Sequence, residues 1–455
     1  MTPSDRVILH CDLNNFYASV ECLQDPALKA VPLVVAGDPE SRHGVVLAKN
    51  DVAKAAGVKT GDTVWEARQK IGSLVAVKPR FDLYMKFSKR AKEIYTRYTP
   101  LVEPFGADEC WLDLMQRTTH NAQRTMADEN WKEDEPTVRG GSTANGIANP
   151  SAVPHSSSLI PHSAFAYGKE VADEIRAAIK KELSLTASVG VSFNKVFAKL
   201  GSDLKKPDAT TVISPANFKA VVWPLPVGEL FMVGRKTAEK LYKCNIRTIG
   251  DLAAADGLIL KEKFGVVGLK LKAAAAGLDD EPVREAVISH QNKSYGHGMT
   301  AKRDIAGLAD LSALVYYLSD RVAARLRKDD VRGYGVAIDL RSNELRHVAK
   351  QCTLFDAVRS SAEIADAAMG LAKSLWDGNP PLRTVTVSVF HLIRGGYGQA
   401  SMFDLSGKKK SDCLDLAVEK IRKKYGSTAI LRADLVERDF IYDKTDDEDF
   451  LPFQR

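Results

Sequence analysis

Long apolar runs are missing from this sequence, because none approaches the roughly 18 residues that a membrane-spanning helix needs. The first residues also lack the charged and then apolar order of a secretory leader. We therefore expect neither a membrane span nor a signal peptide.

Paired cysteines are missing as well. The chain has six cysteines, with no Cys-x-x-Cys pair and no histidine doublet close by. They are Cys11, Cys22, Cys110, Cys244, Cys352 and Cys413. This scatter argues against a zinc site and against a disulfide framework, and it favours a reducing compartment. We therefore predict a cytoplasmic protein.

The overall composition has no extreme either. Hydrophobic residues make up 45% and charged residues 27% of the chain, which is ordinary for a globular protein. A length of 455 residues predicts more than one domain. The net charge of +6 mildly favours a polyanionic partner.

Three carboxylates stand at the ends of strand-like segments. An apolar run, Val7 to Leu9, predicts a buried strand that ends at Asp12, and Asp108 and Glu109 lie in a second such segment. Burying these groups together is unfavourable unless a cation compensates them, and carboxylate oxygens are the ligands that Mg²⁺ prefers. For Asp12 taken alone, a turn or a helix N-cap is the more frequent role.

The residues around these carboxylates form a more specific pattern than the spacing of the carboxylates alone. Residues 12–21, Asp-Leu-Asn-Asn-Phe-Tyr-Ala-Ser-Val-Glu, and residues 107–113, Ala-Asp-Glu-Cys-Trp-Leu-Asp, resemble two motifs of the Y-family (lesion-bypass) DNA polymerases. Residues 188–207 resemble another signature of that family, which ends in Asp-Leu-Lys-Lys-Pro. The resemblance covers about residues 5–115 and 164–455.

The resemblance implies an α+β multidomain fold arranged as a right hand. Its parts would be the palm (1–15 and 80–213, with a flexible insertion at 118–162), small fingers (16–79), a helical thumb (214–285), a little finger (286–395) and a C-terminal tail (396–455). It further implies two Mg²⁺ ions, with Mn²⁺ as an alternative, held by Asp12, Asp108, Glu109 and the Leu13 carbonyl. There the primer 3′-hydroxyl would attack the α-phosphate of a dNTP.

The same resemblance implies the nucleotide contacts. Tyr17 would be the steric gate against a ribose 2′-hydroxyl, with Phe16 beside it, although a lone tyrosine is more often a half-buried core residue. Lys206 would reach the triphosphate. In the fingers, residues 50–58 lack the tyrosine and arginine that the family commonly has, which leaves Lys54 as a point charge. Ala107 stands where the family commonly has serine.

DNA contacts are implied in two further segments. Residues 225–252 resemble a helix–hairpin–helix, in which a glycine lets the backbone approach a DNA phosphate. Residues 293–303 lead into the little finger, where an ordinary charged loop is the alternative reading. The predicted contacts are Gly234, Lys236 and Thr237 in the thumb, and Lys302 and Arg303 in the little finger.

Near the C-terminus, residues 399–405 resemble the Gln-x-x-Leu-Phe peptide with which bacterial polymerases bind the sliding clamp. Gln399, Met402 and Phe403 carry that likeness, although so short a motif often occurs by chance. The residues that follow predict an amphipathic helix of structural role, with Leu414, Ala417, Val418, Ile421 and Tyr425 on its apolar face.

The predicted function is therefore translesion DNA synthesis by a monomer that binds primer–template DNA, a dNTP and the clamp. Nothing resembles an exonuclease domain, so we expect low fidelity. Two alternatives use the same residues. A metal-dependent nuclease would degrade DNA without dNTPs, and a catalytically inactive accessory protein would bind DNA and clamp without extending a primer.

Overall fold

The computed structural model describes residues 6–38, 44–114, 161–284, 292–394, 405–426 and 429–435. The predicted insertion therefore lies outside the described residues, except for its last two residues, which belong to a helix. The predicted clamp peptide also lies outside them, apart from Leu405.

Within these ranges the chain forms fourteen α-helices and twelve strands. The helices are α1 (Phe16–Gln24), α2 (Asp51–Ala55), α3 (Val64–Lys70), α4 (Phe81–Tyr95), α5 (Pro161–Leu183), α6 (Lys195–Leu204), α7 (Phe218–Val222), α8 (Arg235–Lys243), α9 (Ile249–Ala254), α10 (Gly257–Phe264), α11 (Val266–Ala275), α12 (Leu308–Lys328), α13 (Ser361–Leu375) and α14 (Leu405–Tyr425). The strands are β1 (Ile8–Leu13), β2 (Leu33–Ala36), β3 (Val46–Lys49), β4 (Val75–Val77), β5 (Val102–Pro104), β6 (Glu109–Asp113), β7 (Ala187–Ser192), β8 (Thr210–Ile213), β9 (Ser294–Ile305), β10 (Val331–Ser342), β11 (His347–Val358) and β12 (Leu382–Arg394).

The chain divides into two compact units, residues 1–30 with 80–289 and residues 31–79 with 290–455. The predicted limits of palm, fingers, thumb and little finger stay predictions. None of the helices in the described ranges is long and apolar enough to cross a membrane.

The first unit is built on a five-stranded sheet in the order β5-β6-β1-β7-β8. Every side chain of β1 and β7 is buried because helices cover both faces. A Cβ added at Gly190 of β7 would collide with the backbone of α6, whereas the next residue, Val191, lies against Gly168 of α5. Successive strand residues point to opposite faces, so α5 and α6 lie on opposite sides of the sheet.

The five short helices α7–α11 form the predicted all-helical module of this unit. Their apolar faces share one core with two phenylalanines of the palm segment, Phe193 and Phe197. The helical residues buried in that core are Val222, Ala238, Leu241, Ile249, Leu252, Leu260, Leu271 and Ala275.

The second unit contains two sheets. The small one, in the order β3-β2-β4, shares a core with α2 and α3. The larger one, in the order β11-β10-β12-β9, packs one face against α12 and α13. Its edge strand β11 is exposed for most of its length.

Helix α14 is attached to the larger sheet's helices by charged groups. The Arg327 guanidinium of α12, only 4% exposed, lies 2.7 Å from the Asp415 carboxylate and also contacts Glu419. Leu414 and Tyr425 are 65% and 66% exposed. The predicted helix is present, but its apolar face is not buried, because ion pairs rather than apolar contacts hold it.

Candidate active site

The three predicted carboxylates meet at one end of the central strands. Asp12 of β1 lies in register with Glu109 of β6, and the Leu13 N–H donates to the Asp108 carbonyl at 3.0 Å. Asp12 is buried, while Asp108 and Glu109 are half-buried. The antiparallel pairing of β1 with β6 therefore brings together residues nearly a hundred positions apart.

Two lysines neutralise this carboxylate cluster. Lys206 Nζ lies 2.6 Å from Asp12 Oδ2 and 2.8 Å from Asp203 Oδ1. Lys199 Nζ lies 2.9 and 2.8 Å from the two oxygens of Glu109. Lys206 was predicted from the sequence to contact the triphosphate, but Lys199 was not singled out, although it lies in the same signature.

A buried histidine lies beside the same glutamate. His10 precedes Asp12 by two residues on the same face of β1, and its Nδ1 lies 2.9 Å from Ser202 Oγ of α6. Its Nε2 lies 3.5 Å from Glu109 Oε2. Burial lowers the pKa of His10, and the contact with Glu109 opposes that effect. Sequence reasoning missed His10, although strand alternation places it beside the carboxylates.

The pKa values show how unfavourable the buried negative charges are. Burial raises the pKa of Asp12 to about 7, with Lys206 opposing the shift and Glu109 adding to it. Burial and the neighbouring Glu109 raise the pKa of Asp108 to about 6. Burial acts in the same direction on Glu109, but the neighbouring His10 ring and the Lys199 ammonium prevail and lower its pKa to about 2.

These residues fit a divalent cation in their chemistry. Their oxygens are hard donors, and the raised pKa values of Asp12 and Asp108 measure an excess of buried negative charge that a cation would relieve. In the part of the chain that the structure describes, no three acidic, histidine or cysteine side chains are yet close enough together to hold a metal ion. Instead, Lys199 and Lys206 provide the positive charge next to the carboxylates.

Tyr17 lies beside this cluster, at the start of α1. Its ring stacks on Tyr84 of α4 with centroids 4.4 Å apart, and Tyr84 donates its hydroxyl to Glu21 at 2.6 Å. Burial and the charge of Asp108 raise the pKa of Tyr17 to about 12. Phe16 is buried next to it. Tyr17, the predicted gate, therefore packs against Tyr84 and lies close enough to Asp108 to sense its charge.

Asn14 is a further residue that sequence reasoning missed. Its amide nitrogen donates to Ser188 Oγ at 2.9 Å, and its amide oxygen accepts from the Asp208 N–H at 2.9 Å. These two bonds tie the loop after Lys206 to the end of β1. Since Lys206 reaches Asp12 from that loop, Asn14 helps to fix the lysine.

The remaining nucleotide-contact residue, Lys54, is exposed on α2 in the second unit. Asn50 caps that helix by accepting the Ala53 N–H at 3.0 Å. The contact of Lys54 with a triphosphate stays a prediction.

The predicted DNA contacts lie on exposed surfaces. Gly234 is the N-cap of α8, and an added Cβ there would meet no atom within 4 Å. Lys236 and Lys302 are exposed, whereas Thr237 is half-buried. Arg303 pairs with Asp310 at 2.9 Å, so a phosphate would compete with that carboxylate.

Comparisons with known proteins identify the family. The profile of the impB/mucB/samB family matches residues 11–203, and that of its C-terminal domain matches residues 292–402. The chain belongs to the impB/mucB/samB family. DNA polymerase IV of Acetivibrio thermocellus is 40% identical over 95% of this chain and 98% of its own length. DNA polymerase IV 1 of Bacillus subtilis is 32% identical over 96% and 95% of the two chains.

A solved structure shows the same fold. A Y-family DNA polymerase chimera, Dbh-Dpo4(243-245)-Dbh, superposes with a TM-score of 0.69 over 86% of this chain and 100% of its own, at 21% identity. The predicted Y-family membership and the predicted α+β multidomain fold are both confirmed. Y-family relatives imply dependence on a divalent metal in general.

Proposed function

We propose that this chain, a DNA-directed DNA polymerase, extends a primer at the junction of β1 and β6 during low-fidelity translesion synthesis. One observation supports this site above others. Asp12 and Glu109 face each other in register next to Asp108, and two lysines compensate their charge. A nucleotidyl transfer site needs such carboxylates for metal ions and positive charge for the phosphates.

The group that these residues would hold is a pair of Mg²⁺ ions, with Mn²⁺ as an alternative, bound by Asp12, Asp108, Glu109 and the Leu13 carbonyl. A pair of ions held by these residues would supply activation of the primer hydroxyl and charge stabilisation at the leaving oxygen. Lys199 and His10 keep Glu109 ionised, because both lower its pKa. Asn14 and Asp203 hold the Lys206 loop and its ammonium at the same place.

The nucleotide is selected by shape and by charge in this proposal. Tyr17, whose ring stacks on Tyr84, would exclude a ribose 2′-hydroxyl by its bulk. The Lys206 ammonium supplies a positive charge for the triphosphate beside Asp12. Lys54 contributes a second charge from the fingers, in place of the forked arginine that the family commonly has.

The other parts of the proposal concern the partners. The helix–hairpin–helix around Gly234, with Lys236 and Thr237, would contact the DNA backbone, as would Lys302 and Arg303. Residues 399–405 would bind the sliding clamp, and replacing Gln399 and Phe403 by Ala should remove that binding. The protein would act as a monomer, and its six free cysteines fit a location in the reducing cytoplasm.

Single-nucleotide primer extension on an undamaged template tests the site. Asp108→Ala should abolish template-directed addition, because it removes a ligand from the metal site. Glu93→Gln, which neutralises an exposed carboxylate on α4, is the matched control and should extend like wild type. Full activity of Asp108→Ala would contradict the proposed site.

The same assay separates the alternatives. Shortening of the primer without dNTPs would favour a nuclease, and binding without extension would favour an inactive accessory. Neither is favoured by relatives named DNA polymerase IV over nearly the whole chain.

A further inference from the structure

An aromatic cluster lies directly beneath the lysine that binds Glu109. Phe105 and Trp111, from the β5–β6 region, have ring centroids 4.8 Å apart. Phe231, from the segment before α8, completes the cluster at 5.6 Å from Phe105 and 6.0 Å from Trp111. Lys199 Nζ lies 5.6 Å from the Phe105 centroid and 6.0 Å from that of Phe231.

Phe231 belongs to a segment that we call the thumb hairpin, residues 230–234, which ends at the predicted DNA contact Gly234. Leu230 and Val233 are buried in the helical core and anchor this hairpin. Between them, Phe231 turns towards the carboxylate sheet, whereas the next residue, Met232, is 68% exposed and has φ 73°. In this hairpin, Met232 therefore points to solvent, whereas the ring of Phe231, one position earlier, lies under Lys199.

The ring of Phe231 constrains the lysine in two ways. An ammonium above an aromatic face is attracted by the ring quadrupole, and the lysine stem packs on the same apolar surface. Lys199 is only 15% exposed and has both its hydrogen bonds on Glu109. Without the ring, water would enter on the thumb side and the lysine would gain alternative rotamers.

We propose that Phe231 is a positioning residue that couples the thumb hairpin to Glu109 through Lys199. DNA that presses on the hairpin would thereby act on the orientation of a carboxylate in the metal site. The inference goes beyond the proposed function but depends on it for the role of Glu109. No contact between Phe231 and substrate is implied.

Steady-state kinetics of Phe231→Leu in the full chain tests this role. We expect kcat to fall about three- to tenfold, as for a lost cation–π contact of ordinary strength, with the DNA dissociation constant changed less than twofold. Phe231→Tyr keeps a ring and should restore kcat. Phe218→Leu is the matched control, because Phe218 packs on Phe197 and Trp223 in the helical core, whereas the rings at Lys199 Nζ are those of Phe105 and Phe231.

A double-mutant cycle tests whether Phe231 acts on Glu109 through Lys199. In a Lys199→Met background, Phe231→Leu should cost no further kcat. An equal loss in both backgrounds would refute coupling through Lys199. A loss of kcat in Phe218→Leu as large as in Phe231→Leu would show that general packing is responsible, which would also refute the proposal.

Two further variants distinguish a wrong role for Phe231 from a wrong assignment of the metal site. Phe231→Met retains apolar bulk without a ring, so it should lose kcat like Phe231→Leu even if the leucine variant folds poorly. Glu109→Gln should be inactive. If Glu109→Gln stays fully active, the proposed metal site itself is wrong. If it is inactive while Phe231→Met matches wild type, only the role of Phe231 is wrong.

Discussion

Replacing Gly190 by alanine should displace the helix that carries Lys199. An added Cβ would lie 1.9 Å from the Ala198 carbonyl oxygen and 2.5 Å from the Ser202 backbone nitrogen, both in α6. These neighbours are backbone atoms, so no side-chain rotation removes the clash. The helix must therefore retreat from β7 by about 1 Å or more to restore van der Waals separation.

Such a retreat has two measurable effects. Overpacking of this kind costs about 1–3 kcal/mol, which corresponds to a fall in melting temperature of roughly 2–10 °C for a unit of this size. Moving α6 by about 1 Å also takes Lys199 Nζ from 2.8 Å to beyond hydrogen-bonding distance from Glu109. We therefore expect a lower melting temperature together with at least tenfold slower primer extension.

Calorimetry and single-nucleotide extension on the same preparations test this prediction. Gly257→Ala in the thumb is the matched control, because its added Cβ would lie at an ordinary 3.5 Å from Leu269 Cδ2. If Gly190→Ala melts and extends primers like Gly257→Ala, then the α6 backbone does not lie close enough to position 190 to clash with an added Cβ.

Three other changes should give defined results. Met232→Gly should stabilise the chain by up to about 1 kcal/mol in denaturant titrations, because φ 73° is unfavourable for a residue with a Cβ. A lower stability would show that the exposed side chain makes contacts that outweigh this strain. Tyr17→Ala should accept ribonucleotides about 10- to 200-fold better while still using dNTPs, as single-turnover incorporation would show, whereas unchanged discrimination would exclude Tyr17 as the gate. His297 has its pKa lowered to about 4 by burial and by Arg325 and Arg321. Because the folded pKa lies below the unfolded value of 6.5, the neutral form contributes stability above pH 6.5, and up to about 3 kcal/mol is lost as the pH falls through 4. His297→Gln should therefore lose less stability than wild type between pH 7 and pH 4.5, and equal losses would contradict the assignment.

The sequence was most informative where strand alternation and a specific motif coincided. The strand ending at Asp12 and the helical module after residue 214 both appear, with ends shifted by a few residues. The edge strand β11 was not apparent, because it is exposed along most of its length and alternates only weakly, between exposed and half-buried positions, in its second half.

Contacts between distant segments were beyond sequence reasoning. Lys199 and Glu109 are separated by 90 residues, and His10 and Ser202 by 192, so no local spacing records them. Tyr84 is fully buried like a core residue, but its ring also stacks on Tyr17, the predicted gate. Such double roles follow only from the three-dimensional arrangement.

The attachment of α14 limits how the tail can be dissected. Asp415 binds both Arg327 and the Ser361 N–H, so the helix completes the charge balance of α12 and the cap of α13. A shortened chain that stops before residue 405 would remove both carboxylates that pair with Arg327 and would expose the part of α12 and α13 that α14 covers. Deleting the tail would therefore mix a folding defect with any loss of clamp binding. Single substitutions within residues 399–405 keep these two effects apart.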